Sequence, residues 1–444
     1  MAFNLSRHWK HLPSLLLLLL GSLISIGSGI LLQRGVQGGM MGFPGLYYGT
    51  RCLLQHRDPY NTPTLESFYQ ASGAALPTNS VARRQAVTLY VNLPTTFIVT
   101  APFALLPLGL AQALWTTLLV VSFLVAALLM WDLGAARAHD LSTFLIFFLL
   151  ADCEILFSGG NTAGFVVSFT VIAVWCFLQQ RFAHLGVLCL GLGLAIKPHD
   201  AGLIWLFFLL SGSWHRKRAL QAAAVAVVIS LAAFLWVSAV APHWLDEFRA
   251  NLTAISAPGG INEPGPASIG VDSADMIIDL QTVLSIIHDS PGFYNLATYA
   301  ICGALFFLWL LKVVRSRFDA SSAWLALVAA SALSMLVTYH RTYDARLLML
   351  AVPACALLRS RPGKLAWTAI AFATAAILST SDIPLTILLL LTHHLPSVAS
   401  TFSTELALIV LRRPAPLFLL GTAVTFLAAY IRSTPEETAS SLQA

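Results

Sequence analysis

The chain is a succession of long apolar runs separated by short polar connectors. The first run, LPSLLLLLLGSLISIGSGILLQR, follows Arg7 and Lys10 and carries about 20 apolar residues, more than the core of a cleaved leader and enough for one bilayer crossing. It predicts an uncleaved first span. With that span near 13–32, the pattern predicts crossings near 110–131, 142–157, 163–180, 183–197, 200–211, 218–240, 295–313, 321–339, 345–358, 364–380 and 415–431. The runs are solid Leu, Ala, Val and Phe rather than alternating, and hydrocarbon offers no partner to a free amide, so the spans must be helices and not barrel strands. The expected fold is an all-α polytopic membrane protein of about 11 to 13 spans.

Basic residues gather in four connectors: SRHWKH near the start, WHRKRAL at 214–220, LKVVRSRF at 311–318 and LRSRPGK at 358–364. The positive-inside rule places these, and with them the N-terminus, in the cytoplasm. One segment decides the topology. NLPTTFIVTAPFALLPLG, at 92–109, is apolar enough to cross but holds Pro94, Pro102 and Pro107, each of which removes a helical hydrogen bond. Read as re-entrant or surface-lying, it leaves 33–109 as one large outer loop and keeps WHRKRAL inside. A second outer segment, 241–294, contains APGGINEPGPASIGVDSADMIIDL, whose Pro, Gly and Asn mark loop. Region 381–413 can be a short span, a half-helix or a surface helix, and the polar tail 432–444 is expected to be disordered.

Composition agrees with this pattern. Hydrophobic residues make up 57% of the 444, charged residues 10%, and mean hydropathy is +0.78, which excludes a soluble domain of ordinary make-up. The net charge of +5 resides in short connectors, so it speaks for membrane topology and not for nucleic acid. Six cysteines show no C-x-x-C spacing and fall mostly in apolar runs, where they are expected to pack.

Ionisable groups at bilayer depth cost a few kcal/mol each, so each such group is a functional candidate. The predicted topology puts four polar knots on the outer rim: Asp58 in QHRDPYN, Asn161 after two glycines, Lys197 to Asp200 in KPHD, and Tyr339 to Arg346 in YHRTYDAR. Each has a plainer explanation. Asp58 before Pro59 can open a turn, Lys197 can snorkel to headgroups, and an Arg–Asp pair within YHRTYDAR can lock two helices together. Asp152 and Glu154 can bind a cation or simply pair with nearby arginines.

RDPYN in a large first outer loop, then LPTTFIVTAPFALLPLGLAQALW, FSGGNTAGF, GLGLAIKPHDAGLIWLFFLL and YHRTYDARLLMLAVP, in that order, resembles glycosyltransferase family 87 of the GT-C superfamily over residues 12–360. The resemblance implies a GT-C-type transmembrane bundle in three parts. Residues 1–240 are the catalytic module with outer loop 33–109, residues 241–294 the second outer loop, and 295–431 the C-terminal helices. It implies an enzyme of the cell membrane with an extracytoplasmic active site. The donor would be a polyprenyl-phosphate sugar, typically of mannose, and the acceptor a lipid-linked molecule or glycan. Asp58 matches the catalytic acidic residue, His340 and Asp344 a polar cluster across the same cavity, and Lys197 a lysine for the donor phosphate.

The chemistry fits those residue types. An acceptor hydroxyl needs a general base within about 3 Å, the place given to Asp58, with His340 to orient it or to donate to phosphate. Arg57 is expected to keep that carboxylate ionised, and Pro59 to stiffen the loop. A departing phosphate gains negative charge, which Lys197, Arg341 and Arg346 would offset, supported by Asn161, His199 and Asp344. With one base and no second carboxylate nucleophile in view, inversion is expected. No metal or other cofactor is called for. A transporter, the main rival, would show repeated halves with ionisable groups near mid-membrane, and neither is visible.

Overall fold

The computed structural model describes residues 12–35, 42–73, 81–152, 162–265, 277–361, 363–383, 387 and 413–433. Asn161, Glu154, Cys153, most of 381–413 and the tail from 434 lie outside them. The first apolar run forms α1 (Leu12–Gly35). The expected outer loop is itself helical, with α2 (Gly42–Leu54), α3 (Thr62–Ala71), α4 (Val81–Thr88) and α5 (Thr95–Ala104). Then come α6 (Leu108–Ala135), α7 (His139–Leu150), α8 (Ala163–Leu178), α9 (Ala183–Ile196), α10 (Pro198–Leu210) and α11 (Gly212–Val240). The second outer segment holds α12 (Trp244–Ser256) and the short α13 (Gln281–Leu284). The chain continues through α14 (Pro291–Arg315), α15 (Ala320–Val337), a 3-10 helix (Asp344–Leu350), α16 (Ala351–Arg359), α17 (Lys364–Ser379) and α18 (Ala415–Arg432).

The all-α class holds. Among the described residues the only strand-like feature is an isolated bridge between Ile277 and Arg341. Five described helices, α6, α11, α14, α15 and α18, are long and apolar enough to cross a membrane. Several expected spans are instead shorter apolar helices, among them α7, α8, α9, α10 and α17. The proline-bearing segment yields α5, only 10 residues long with Pro102 inside. At 1.5 Å per residue it reaches about 15 Å, half the hydrocarbon thickness.

Two boundaries differ from the sequence expectation for a physical reason. The helix expected over 142–157 ends at Leu150, because Asp152 is drawn into a buried ion pair. The helix expected over 345–358 is split, with a seven-residue 3-10 stretch before α16. Such long 3-10 runs are uncommon and mark places where side-chain contacts override local preference.

Burial sorts the helices into centre and rim. In α15 78% of the most apolar stretch is buried, against 11% in α11, so α15 is central and α11 presents its leucines and valines outward to the surrounding apolar phase. Around α15 pack α18, α10, α14 and the 3-10 helix, while α8 lies against α9, α6 and the 3-10 helix. Small residues permit the closest approaches: a Cβ added at Gly421 in α18 would come 2.2 Å from the Phe372 ring of α17.

Arg346, in the 3-10 helix, is wholly buried and lies 3.2 Å from Asp152. Its guanidinium also donates to the Thr380 carbonyl and, at 3.4 Å, to Ser381 Oγ, which in turn donates to the Phe148 carbonyl. The pair therefore ties the ends of α7 and α17 to the 3-10 helix. Removing one member strands the other charge, so Arg346→Ala should destabilise the protein by about 3 to 5 kcal/mol, and Asp152→Ala/Arg346→Ala by less than the sum of the singles. Thermal unfolding of the four proteins in detergent checks the pattern.

Candidate active site

The sequence KPHD builds its geometry locally. Proline disfavours the helical conformation of the residue before it, and Lys197 has φ −143° and ψ 76°, which ends α9. Pro198 then takes the first helical position of α10, where its missing N–H costs nothing. The lysine side chain is thrown across the junction. Its Nζ lies 2.5 Å from Asp344 Oδ1 and 3.2 Å from Asp200 Oδ2, one turn along α10. Asp344 is fixed from its other side, since Oδ2 accepts the Arg341 backbone N–H at 3.0 Å.

His340 closes the cluster from the connector after α15. Its Nδ1 is 2.8 Å from the Thr338 carbonyl oxygen and its Nε2 is 2.8 Å from Asp200 Oδ1. A carbonyl and an ionised carboxylate only accept, so both ring nitrogens must donate and the ring is an imidazolium. Burial opposes that charge, but the hydrogen bond and negative charge of Asp200 outweigh it and raise the His340 pKa. Two cations, Lys197 and His340, thus face two carboxylates, Asp200 and Asp344. All but Lys197 are almost completely buried, and the lysine side chain keeps 15% exposure.

The remaining basic candidates are committed elsewhere. Arg341 donates to the Ile261 carbonyl at 2.9 Å and to the Tyr339 hydroxyl, so it fastens the hinge to the second outer segment. Arg346 belongs to the Asp152 pair, which realises the plainer of the two possibilities left open for that aspartate. His199 is 42% exposed, with its ring 5.0 Å from that of His340. His199, Asp200 and His340 offer three ligand atoms within 4.8 Å of one another, a set that could hold a metal ion. As arranged, however, His340 Nε2 carries a proton and both Asp200 oxygens face cations, so a metal would have to displace that proton.

Asp58 lies in the connector between α2 and α3. Its Oδ1 accepts the Tyr60 N–H at 2.9 Å, so the turn-forming role of an Asp-Pro pair is realised. Asn61 caps α3, accepting from Thr64 N at 3.0 Å, and its Nδ2 donates at 2.8 Å to Glu247 Oε1 on α12. Asp58 itself is half-buried against Glu247, and burial together with that neighbouring carboxyl pushes its pKa up to about 6. The Arg57 side chain is exposed, 6.0 Å from the Phe68 ring, and among the described residues it forms no ion pair with Asp58.

The structure therefore joins Lys197, Asp200, His340 and Asp344 with His199 alongside, and sets Asp58 in a separate group with Asn61 and Glu247. Among the described residues no hydrogen bond or ion pair links Asp58 directly to Lys197. The two groups are tied indirectly. Tyr60 donates to the Asn92 carbonyl at 2.9 Å, and Thr95 to the Ala195 carbonyl at 2.6 Å, two residues before Lys197. Sequence reasoning placed Asp200 in the KPHD knot but gave it no role, and it missed Glu247. The first is signalled by its one-turn spacing from Lys197, whereas nothing local marks the second.

The model of glycosyltransferase family 87 matches residues 90–337, more than half of the chain. No curated protein and no solved structure matched it.

Asp200→Asn removes the acceptor that keeps His340 doubly protonated. Nitrogen NMR of histidine-labelled protein should then show one imidazolium fewer at neutral pH. An unchanged imidazolium count would mean that the charge on His340 has another source.

Proposed function

Because the chain belongs to glycosyltransferase family 87, we propose that it moves a sugar, mannose first among the candidates, from a polyprenyl-phosphate donor to a lipid-linked or glycan acceptor. The reaction takes place at the extracytoplasmic face of the cell membrane, with Asp58 as general base. The observation that carries this reading is an apolar cavity whose wall includes His199 and Thr338, the residues that flank the charged cluster. A cavity of about 370 Å³ runs between α10, α14 and α15, lined by Gly202, Leu203, Cys302, Gly303, Phe306 and Leu333, and His199 stands on its wall beside Asp200. An isoprenoid tail fits the apolar part, and the phosphate it carries then lies by Lys197 and His340.

Each residue has a defined task. The acceptor O–H gives its proton to Asp58 as the oxygen attacks the anomeric carbon, and the bond from that carbon to the phosphate oxygen breaks. A base whose pKa is pushed up to about 6 binds that proton more firmly than an ordinary aspartate and remains ionised at neutral pH. The phosphate leaves with one more negative charge. Lys197, the cluster cation with an exposed edge, is placed to offset it, with His340 behind. Asp344 and His199 hold these two in position, while Arg341 and Arg346 act through the hinge they anchor.

With the acceptor oxygen attacking opposite the departing phosphate, this single displacement inverts the anomeric carbon.

Asp58→Asn should lower transfer by about 10² to 10⁴-fold with expression and thermal stability unchanged. The assay offers polyprenyl-phospho-mannose, -glucose and -arabinose in turn, and unimpaired transfer by the variant would sink the assignment of the base. The cavity has its own test. Gly303 lines the cavity and a Cβ added there meets nothing within 4 Å, so Gly303→Phe is chosen to put a ring into that space. Displacing two or three methylene groups of the tail should raise KM for a long-chain donor about 15- to 60-fold, and KM for a short-chain donor should barely change.

A further inference from the structure

Glu247 Oε1 is satisfied by Asn61, but its Oε2 is buried and meets no N–H or O–H donor. Leaving such an oxygen without a donor costs about 1 to 3 kcal/mol, more if it is charged. The neighbouring carboxyl is that of Asp58, three residues before the Asn61 that Glu247 holds, and Glu247 raises the affinity of Asp58 for a proton. Two carboxylates cannot hydrogen-bond to each other. A carboxyl pair can, when it holds one proton, and that proton supplies the donor that Oε2 lacks.

We propose that Glu247 is the working partner of Asp58: the two carboxyl groups receive and share the proton given up by the acceptor hydroxyl. The inference rests on the assignment of Asp58 as base. The step balances. The acceptor O–H bond breaks as its oxygen bonds to the anomeric carbon, and the phosphate departs with the electrons of the bond to that carbon. The pair goes from two negative charges to one while the phosphate gains one. Glu247 is thus a positioning residue that acts through Asp58, raising its affinity for the proton and filling its own empty hydrogen-bonding site when the proton arrives.

The thiol and phenols that face Asp58 hold their protons at neutral pH. From α2, Cys52 faces Asp58, but burial pushes its thiol up to about 12. Tyr60, in the same loop, and Tyr90, just after α4, are raised above the ordinary tyrosine value by burial. On α12, Asp246 and Arg249 lie exposed and 3.9 Å from each other. Glu66 of α3 is paired with Arg84 of α4, and Arg57 points to Phe68. Among the described residues no lysine or arginine forms an ion pair with Asp58 or Glu247.

The test is the pH profile of kcat/KM for the purified full-length protein and for Asp58→Asn, Glu247→Gln and Glu247→Asp. The wild-type profile should lose activity as pH falls through about 6. In Glu247→Gln the amide donates to Asp58 and favours its charged form, so the acid limb should move down by a unit or more. Activity at neutral pH should fall about 10-fold because the base is weaker. Glu247→Asp should restore part of both. If Asp58→Asn abolishes transfer while Glu247→Gln leaves the limb in place, the shared proton is overturned and the base survives. If Asp58→Asn retains transfer, both fail. Infrared titration of the unmodified protein reads the same proton without any variant: a protonated-carboxyl band should grow in between about pH 7 and pH 5, and its absence overturns the proposal.

Discussion

The fold depends on neutralising charges where helices end inside an apolar bundle. Each ion moved out of water loses several kcal/mol of solvation even after relaxation, and only close opposite charges with satisfied hydrogen bonds return it. Lys197 and His340 against Asp200 and Asp344 meet that demand with two charges of each sign. The pairing also fixes geometry, because each partner comes from a different element. The junction of α9 and α10 supplies the lysine and one aspartate, the connector after α15 the histidine, and the 3-10 helix the other aspartate. Arg346 and Asp152 add a second clamp two residues further on. A 3-10 stretch is a poor use of backbone hydrogen bonds, and here it is gripped on both sides by buried ions.

A neutral cluster is a better receptor for a phosphate than its zero net charge suggests. Charges already held in place need not reorganise as the reaction proceeds, and that preorganisation is where electrostatic catalysis gains most. The carboxylates hold the two cations still and prevent His340 from losing its second proton. In the proposed reaction the phosphate changes by one charge, and Lys197 has an exposed edge on which to meet it. The cost is that Asp344 competes for the same ammonium. In that proposal a cluster built this way favours the product phosphate only modestly over the donor, which would let the spent carrier leave.

Much of this was legible in the sequence because it follows from composition and period. Solid apolar runs gave the helices, Pro-containing stretches gave the breaks, and KPHD and YHRTYDAR stood out as polar residues with no reason to be there except one another. The side-chain partners were less legible. Asp200 lies one helical turn from Lys197, so the pair is local, but its contact with His340 spans 140 residues. Glu247 lies in a segment whose prolines and glycines read as loop, and its contact with the Asp58 connector is made only when α12 folds onto it. Arg57 and Asp58 are adjacent in sequence, but the guanidinium lies by the Phe68 ring while the carboxylate accepts the Tyr60 N–H. The outer loop showed the same limit, since its short helices carry few of the long apolar periods that announce a span.

The geometry between the Asp58 connector and the cation cluster is set by a short strut. The Asp58 connector is bonded at Tyr60 to the Asn92 carbonyl, and Thr95 is bonded to the Ala195 carbonyl at the end of α9. Asn92 and Thr95 are three peptide units apart, so even fully extended they span about 11 Å. Pro94, between them, has its φ held by its ring, which removes one of the few torsions that could shorten or bend the piece. Aromatic packing stiffens it from the side: the Tyr90 and Phe97 rings stack at 4.8 Å, and Tyr60 packs edge-on against both. Asn251 on α12 then donates to the carbonyls of Tyr60 and Tyr90, which puts Glu247 on the same rigid assembly as Asp58. Prolines that argue against a crossing at 92–109 thus have a positive use: a stretch that cannot be a spanning helix can serve as a spacer of fixed length.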